Sequence, residues 1–164
     1  MMKQLKEYLD TNGIKYRVIT HSAAYTAQEI AATAHVPGKE MTKVVEIKID
    51  GKLAMAVLPA SHFVDLRRIK EMTHATHIET AKEEDYKDIF SDCEVGSMPP
   101  FGNLVNQMVF VSTDLAEDPQ IAFNAGNHRE LVVLSYKDYE KLVKPQVFSF
   151  SIKEFAGKGE RPKL

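Results

Sequence analysis

The chain has 164 residues, 44% of them hydrophobic and 27% charged, which is typical of one globular domain that buries a core of its own. Its one cysteine, Cys93, excludes an internal disulfide and fits a reducing compartment. A net charge of -2 excludes a large nucleic-acid clamp, and no apolar stretch approaches the roughly 20 residues that cross a bilayer. We therefore expect a cytoplasmic protein with no membrane or DNA partner.

The first part of the chain predicts two helices with a strand between them. A stripe of apolar residues predicts a helix over residues 2–12, and a strand follows at residues 16–20. Thr26 and Glu29 have the spacing of a capping box, in which the two side chains satisfy free amides at a helix start. A second helix is therefore expected to begin there and to end near Val36.

The clearest local signal is a β-hairpin. Residues 43–49 alternate apolar and polar side chains, and residues 53–58 return as a second strand. Asp50 and Gly51 between them favour the positive φ angles of a tight two-residue turn. These two strands are predicted to lie at the centre of the sheet.

Two more helices are predicted to cover one face of that sheet. Asp65 is placed to cap a helix over residues 66–72. Thr80 and Glu83 form a second capping box, which predicts a helix that runs to Phe90.

The last third of the chain predicts three strands and one helix. Short apolar runs at residues 108–112 and 131–134 are typical of buried strands. Ser135 can cap a helix that follows, and alternation over residues 147–152 predicts a final strand.

Helices and strands are thus intermixed, and one strand pair is antiparallel. This pattern predicts an α/β (mixed α+β) fold with a mixed, largely antiparallel central sheet surrounded by helices. Residues 1–152 are expected to form a single domain. Residues 153–164 are predicted to be a basic, flexible tail, although such a tail can also contact RNA.

Lys43 is the first candidate for function. Side chains alternate along a strand, so Lys43 shares its face with Val45 and Ile47. An ammonium group is costly to bury unpaired, and Lys43 is therefore expected at the edge of a cleft or beside an anion. The alternative is a strand that begins at Val44, with Lys43 solvated ahead of it.

Residues 96–102, Gly-Ser-Met-Pro-Pro-Phe-Gly, form the second candidate. Glycine allows a ligand to approach the backbone closely, and proline fixes the backbone angles. The remaining amides can then point at a carbonyl oxygen without reorganisation. A purely structural turn, with Phe101 as its hydrophobic plug, is the alternative.

The third candidate is a turn of small and polar residues at 124–128, which places His128 just before a predicted buried strand. His128 can orient water, donate to a developing anion or bind a ribose hydroxyl, or it can be a structural residue.

Cys93 could act as a nucleophile that His128 activates, or it could lie buried as a small apolar residue.

Other familiar chemistries have little support in the sequence. His74 and His77 are three residues apart, but no cysteine pair or HExxH motif completes a zinc site, so we predict no metal. The sequence also lacks GxSxG, GxxxxGK[ST] and GxGxxG, the motifs of α/β-hydrolases, P-loop proteins and Rossmann folds.

Five segments, in their order and spacing, resemble the YbaK and prolyl-tRNA synthetase-associated editing family. They are residues 21–29, 42–45, 57–66, 96–102 and 124–128. In the fourth segment, Gly96 and Pro100 stand where the family has its GxxxP loop. The resemblance covers nearly the whole chain and implies one α/β domain.

The resemblance also implies an activity. Members of this family hydrolyse the ester between a wrongly attached amino acid and the 3′ end of tRNA, with no metal or cofactor. Such editing is needed because a synthetase pocket separates ligands that differ by one methylene by only about 1 to 3 kcal/mol. Because the chain carries no synthetase modules, we expect it to act in trans on the acceptor end of aminoacyl-tRNA, with a synthetase as a further candidate partner.

Three residues are expected to be catalytic by this resemblance. Lys43 corresponds to the lysine that anchors the terminal adenosine and its phosphate. The backbone near Gly96 would hold and polarise the substrate carbonyl, and His128 would line the amino-acid pocket. Water, positioned by backbone groups, would attack the ester without a protein nucleophile.

The resemblance places further residues around the substrate, with Phe101 and Gly102 supporting the loop from behind. The predicted substrate-binding residues are Tyr25, Ala60, Met98, Pro100, Phe101, Gly102 and Gly126. Val44 departs from the family, which often has a polar residue after the lysine, so a contact to the adenosine is missing here.

The function expected from the sequence is therefore trans-editing deacylation of a small amino acid of the alanine, cysteine or serine class. Two alternatives remain open at this stage. One is a non-catalytic module of the same fold that binds tRNA ends or a synthetase. The other is a hydrolase of small esters that uses Cys93 or Ser97 as nucleophile.

Overall fold

The computed structural model describes residues 1–22 and 27–153. The helices are α1 (Lys3–Thr11), α2 (Ala27–Ala34), α3 (Leu66–Thr73), α4 (Glu83–Tyr86), α5 (Thr113–Ala116) and α6 (Tyr136–Val143). The strands are β1 (Tyr16–Thr20), β2 (Thr42–Ile49), β3 (Lys52–Pro59), β4 (His62–Val64), β5 (Ile78–Thr80), β6 (Met108–Ser112), β7 (Gln120–Asn124), β8 (Glu130–Ser135), β9 (Gln146–Phe148) and β10 (Ser151–Lys153). None of the described helices is long and apolar enough to cross a membrane.

The strands form three sheets. The largest has the order β5-β2-β3-β6-β9, the second has the order β1-β8-β7, and β10 pairs with β4. Among the described strands, five of the seven pairings are antiparallel, and only β3 with β6 and β6 with β9 run parallel. A single parallel bridge between Met41 and Ala122 connects the two larger sheets. The predicted mixed α/β fold is confirmed.

The predicted hairpin is confirmed, because β2 and β3 pair antiparallel. Ile49 pairs with Lys52, so Asp50 and Gly51 are the only residues in the turn. Their φ angles are 50° and 84°, as the tight turn with two positive φ angles requires. Since β2 begins at Thr42, Lys43 lies inside the strand and not ahead of it.

The five-stranded sheet is packed on both faces. One face carries Ile47, Ala54, Ala56, Leu58 and Phe110, which pack against Leu66 and Ile69 of α3 and against Phe150. The other face carries Met55, Val57, Val109 and Val111, which pack against Leu5 and Leu9 of α1, Phe101, Phe123 and Tyr139. Because both faces are covered, a polar side chain on β2 or β3 is not directed to solvent by alternation alone.

Two of the predicted helix caps are confirmed. The side chain of Asp65 accepts a hydrogen bond from the backbone N–H of Arg67 at 3.1 Å, and α3 follows. Ser135 Oγ accepts from the N–H of Asp138 at 3.2 Å at the start of α6. The predicted cap at Thr26 lies outside the described residues.

The predicted helix from Thr80 to Phe90 is wrong. Thr80 pairs with Ile47 as part of strand β5, so it cannot cap a helix. The helix that follows is only the four residues of α4, which begins after Lys82, whose backbone N–H donates to Asp85 at 2.9 Å. Pairing with β2 competes with the capping box, and α4 buries no residue against the sheet.

The predicted final strand at residues 147–152 is two strands in different sheets. Strand β9 pairs with β6, and strand β10 pairs with β4. The chain leaves the larger sheet between them, where the carbonyl of Phe150 accepts a hydrogen bond from the N–H of Asp65 at 2.7 Å. This contact directs the following residues to β4.

Candidate functional site

The loop at residues 94–97 is a tight turn built around Gly96. The N–H of Ser97 donates to the carbonyl of Glu94 at 3.2 Å, and Gly96, the third residue of the turn, has a φ of +82°. Glycine is preferred there because a side chain is strained at positive φ. Glu94, Val95 and Gly96 are exposed, so the backbone of the turn is accessible to a ligand there.

The rest of this loop is fixed to the core. The carbonyl of Pro100 accepts a hydrogen bond from the buried hydroxyl of Tyr139 at 2.7 Å. Phe101 is fully buried, with its ring 5.4 Å from that of Tyr139 and 5.6 Å from that of Phe123. Phe101 therefore supports the loop from behind, and its side chain is not accessible to a substrate.

Gly102 and Gly126 also lie in the packing behind the loop. A Cβ at Gly102 would lie 2.6 Å from Val109 Cγ2, and one at Gly126 would lie 2.1 Å from Met2 Cγ. The backbone of Gly126 accepts from the N–H of Glu94 at 2.8 Å and donates to the carbonyl of Ser97 at 3.1 Å. Gly126 thus ties the Gly96 turn to the segment that carries His128.

His128 lies against the Gly96 turn. Its Nε2 is 2.9 Å from the carbonyl oxygen of Val95, and a Cβ built on Gly96 would be 3.6 Å from His128 Cε1. A carbonyl oxygen only accepts, so Nε2 carries a hydrogen, and in the neutral ring Nδ1 is the acceptor. The ring is about half exposed, which leaves it accessible from solvent. The structure therefore brings two predicted catalytic residues together.

Lys43 leaves β2 on the opposite face from Val44. Its cross-strand partner is Leu58, and its Nζ lies 5.4 Å from the ring centre of Phe63, within the range of a cation–π contact. Lys43 also acts on a neighbour: burial lowers the pKa of His62, the carboxylate of Asp114 opposes this, and the nearby cations, Lys43 among them, lower it further.

In the described part of the chain, the edge of β2 opposite β3 is open between the bridge at Met41 and the pairing with β5. Within the described residues, β5 pairs only with residues 47–49 of β2. The carbonyl of Glu46 points to this edge, because it accepts from the N–H of Ala81 at 3.0 Å. Backbone direction alternates along a strand, so the N–H and C=O of Val44 point to the same edge.

A cavity of about 210 Å³ lies between this edge and the Gly96 loop. It is lined by Val44, Val45, Glu46, Thr80, Ala81, Tyr86, Gly96 and Met98. The residue directly after Lys43 therefore shares a cavity with two of the predicted site residues, Gly96 and Met98. The cavity has the size of a small amino acid and a few waters, since a water occupies roughly 30 Å³.

Glu46 lies in this cavity and is only 4% exposed. With its amide nitrogen turned to the carboxylate, Gln107 donates to both oxygens of Glu46 at 3.1 and 3.0 Å. Burial raises the pKa of Glu46 to about 7, although the Gln107 hydrogen bond acts in the other direction. A buried carboxyl group beside the Gly96 turn is a strong candidate for substrate contact.

The remaining predicted residues lie elsewhere or outside the described part. Ala60 packs against the buried cluster of Ile30, Met41 and Ala122, and its N–H donates to the carbonyl of Met41 at 2.7 Å. Ala60 is thus at the other end of the hairpin from the turn and does not line the cavity. Tyr25 lies outside the described residues.

The two candidate nucleophiles are poorly placed for attack. Ser97 is fully buried, and its hydroxyl donates to the carbonyl of Glu94 at 2.7 Å. Burial raises the pKa of the Cys93 thiol, which disfavours the reactive thiolate. Among residues 1–22 and 27–153, no group of three or more His, Cys, Asp or Glu side chains is arranged to hold a metal ion.

Comparison with known families matches residues 21–142 to the aminoacyl-tRNA editing domain. The chain belongs to this family. The prediction made from the five segments is thereby confirmed, together with the class of enzyme, the aminoacyl-tRNA deacylases.

Individual relatives of this editing domain agree with the family match. The Multifunctional Ser/Thr-tRNA deacylase ProXp-y of Escherichia coli (strain K12) is 24% identical over 153 residues, which are 90% of this chain and 91% of that protein. The proline–tRNA ligase of Bacillus mycoides (strain KBAB4) is 29% identical over 75 residues, which are 46% of this chain but only 13% of the ligase. The second match is therefore to one part of a much longer protein.

Solved structures show the same fold. The crystal structure of the hypothetical protein APE2540 has a TM-score of 0.80 at 19% identity and covers 92% of this chain and 100% of its own. A structure described as a candidate trans-editing enzyme for prolyl-tRNA synthetase has a TM-score of 0.77 at 19% identity and covers 93% of this chain and 96% of its own.

Sequence reasoning missed one residue that lines the cavity of the candidate site, Glu46. Alternation along β2 places Glu46 on the face opposite to Lys43, and nothing else in the sequence sets it apart. In the structure it pairs with the buried Met55 and lies on the face that packs against the larger part of the core. No local signal marked Glu46, because its burial depends on the loop at residues 96–107, far away in sequence.

Proposed function

We propose that this chain is a trans-acting deacylase that hydrolyses the ester of a small amino acid of the alanine, cysteine or serine class on the 3′ end of tRNA. The contact between the Gly96 turn and His128, beside a cavity in a chain of the editing family, carries the proposal. Serine comes first among the candidate substrates, because the Escherichia coli relative is named a Ser/Thr-tRNA deacylase.

In the proposed reaction, Lys43 binds the phosphate of the terminal adenosine and orients its ribose. The substrate lies across the open edge of β2, so that the ester carbonyl reaches the backbone of Gly96. Among the described residues, the N–H of Gly96 has no acceptor, and it can therefore donate to the oxygen on which negative charge develops.

Water then adds to the carbonyl carbon, and the bond from that carbon to the ribose oxygen breaks. The proton lost by the water goes to the ribose oxygen, which leaves as a hydroxyl, and the amino acid leaves as a carboxylic acid that ionises in solution. Nδ1 of His128 is available as an acceptor that positions the water. No covalent intermediate with Cys93 or Ser97 is needed.

Partners and location follow from the same proposal. The acceptor end of aminoacyl-tRNA is the substrate, and charged tRNA places the enzyme in the cytoplasm. A synthetase is the further partner we propose, since a net charge of -2 gives little affinity for the body of a tRNA. The basic tail proposed at residues 153–164 lies outside the described residues, apart from Lys153 at the end of β10.

A panel of charged tRNAs tests the proposal. Alanyl-, cysteinyl-, seryl-, threonyl- and prolyl-tRNA are each incubated with the protein, and the loss of the amino acid is measured. We expect hydrolysis of at least one small aminoacyl ester, serine first. Binding of charged tRNA with every ester left intact would support a non-catalytic module, and a trapped acyl-enzyme that Cys93→Ser abolishes would support the small-ester hydrolase.

A further inference from the structure

The cavity at the open edge of β2 contains a single charged group among its lining residues. Seven of the eight are uncharged, namely Val44, Val45, Thr80, Ala81, Tyr86, Gly96 and Met98. Tyr86 stays neutral because burial, together with the nearby Glu83 and Glu46 carboxylates, raises its pKa. The charge in the cavity is therefore that of Glu46.

The carboxylate of Glu46 has hydrogen-bonding capacity left over. Gln107 donates one hydrogen bond to each oxygen, at 3.1 and 3.0 Å. A carboxylate has about four acceptor positions, so two remain. At 4% exposure these positions receive little help from bulk water, and an ionised carboxylate in this place needs a cation or further donors.

An aminoacyl ester carries a cation at a fixed distance from its carbonyl. The α-nitrogen is two bonds from the carbonyl carbon, which corresponds to about 2.5 Å. A carbonyl held at the Gly96 backbone therefore places the α-ammonium at the mouth of the cavity or inside it. Among the residues that line the cavity, Glu46 alone carries the opposite charge.

We propose that Glu46 binds the α-ammonium group of the amino acid whose ester lies on the Gly96 turn, and that it thereby selects substrates with a free amino group. The proposal rests on the deacylase function proposed above and names a residue that determines its specificity. A substrate with an acetylated amine cannot form the ion pair, and it leaves the buried carboxylate without a cation. Both effects weaken its binding.

The electrostatics of Glu46 agree with this role. Burial raises its pKa to about 7, so the carboxyl group in the empty site is held in balance between its neutral and ionised forms near neutral pH. An ammonium group that enters the cavity favours the ionised form. The loss of the proton and the gain of the ion pair then occur together.

The experiment compares seryl-tRNA with N-acetyl-seryl-tRNA, which differ only at the amine. For the wild type we expect kcat/KM to be at least about 10-fold higher for the free amine. In Glu46→Gln, which keeps the shape of the side chain, this preference should fall to about 2-fold or less. The loss should come from slower cleavage of seryl-tRNA, with the acetylated substrate little affected.

Glu84→Gln is the matched control, since it removes a carboxylate from an exposed position on α4 close to the cavity. It should keep the full preference of the wild type. Glu46→Gln with an unchanged preference would overturn the proposal. So would a wild type that cleaves both substrates at the same rate, a result that requires no variant to fold.

A binding measurement separates this proposal from the proposed function. The probes are amide-linked seryl-adenosine, which resists hydrolysis, and its N-acetylated form. If the wild type cleaves no ester, the deacylase proposal fails, but tighter binding of the free-amine probe that is lost in Glu46→Gln still supports the ammonium site. Equal binding of the two probes to the wild type contradicts it.

Discussion

Strand β2 places Lys43 on one face and Glu46 on the other, and the two side chains have different surroundings. Lys43 is half-buried, and its Nζ lies 5.4 Å from the ring centre of Phe63. Glu46 leaves the other face, loses nearly all contact with solvent and has its pKa raised to about 7. The same strand therefore provides a half-buried lysine on one side and a buried carboxyl group with a raised pKa on the other.

This difference suits the two ends of the proposed substrate. The nucleotide end always carries phosphate charge, which a lysine side chain can bind. The amino-acid end carries an amine that can be charged, neutral or modified, and a carboxyl group with a pKa near 7 responds to that state. Three predictions follow from the comparison of the two faces.

Removal of the Lys43 side chain should have the largest effect on activity. Lys43→Ala is expected to lower kcat/KM for seryl-tRNA at least about 100-fold, because the charge-assisted contact to the adenosine phosphate is lost. Lys52→Ala, an exposed lysine on the same hairpin, is the control and should stay within about 2-fold of the wild type. If both variants behave alike, Lys43 does not anchor the nucleotide.

Removal of the Glu46 charge should change how the free energy of unfolding depends on pH. The pKa of Glu46 is raised from its ordinary value of 4.5 to about 7, so the folded state binds this proton more tightly than the unfolded chain. The stability that this provides is complete below about pH 4.5 and is lost as the pH rises to about 7. Glutamine has no proton to lose, so the stability of Glu46→Gln relative to the wild type should be about 3 kcal/mol higher above pH 7 than below pH 4.5.

Urea unfolding between pH 5 and pH 8 measures this difference. The gap between Glu46→Gln and the wild type should widen as the pH rises and then level off above pH 7. The exposed variant Glu84→Gln should show no such trend. A constant gap across the range would mean that Glu46 titrates normally in the folded state.

The smallest effect is expected at the turn that faces Glu46. Gly96 has a φ of +82°, and alanine in this region costs about 1 kcal/mol. Relaxation of the turn would shift Val95 away from His128, so Gly96→Ala should lose about 10-fold in kcat/KM. Activity of the variant equal to that of the wild type would show that the turn geometry is not part of the site.

Gly38→Ala is the control for this substitution. Gly38 has no positive φ, and among the described residues nothing lies within 4 Å of a Cβ built there. Both activity and thermal midpoint should therefore change little. Comparison of Gly96→Ala with Gly38→Ala separates the effect of strain at one turn from the general cost of replacing glycine.

Much of the fold could be predicted from local patterns. The hairpin turn at Asp50 and Gly51 requires two positive φ angles, and the caps at Asp65 and Ser135 need only a side-chain oxygen near a free amide. These features depend on residues within a few positions of one another. The cap predicted at Thr80 failed for the opposite reason, because a distant strand, β2, pairs with Thr80 first.

The candidate site also has some features that local sequence determines and others that depend on distant segments. By itself the sequence determined the face from which Lys43 leaves its strand, the stiffness of the loop that follows Gly96 and the family to which these segments belong. Only the tertiary structure decided that His128 lies against the Gly96 turn, that Phe101 is buried behind the loop and that Glu46 lies in a cavity. Period-two alternation tells which side a residue points to, but the segments that cover that side come from elsewhere in the chain, and they decide whether a charge meets water.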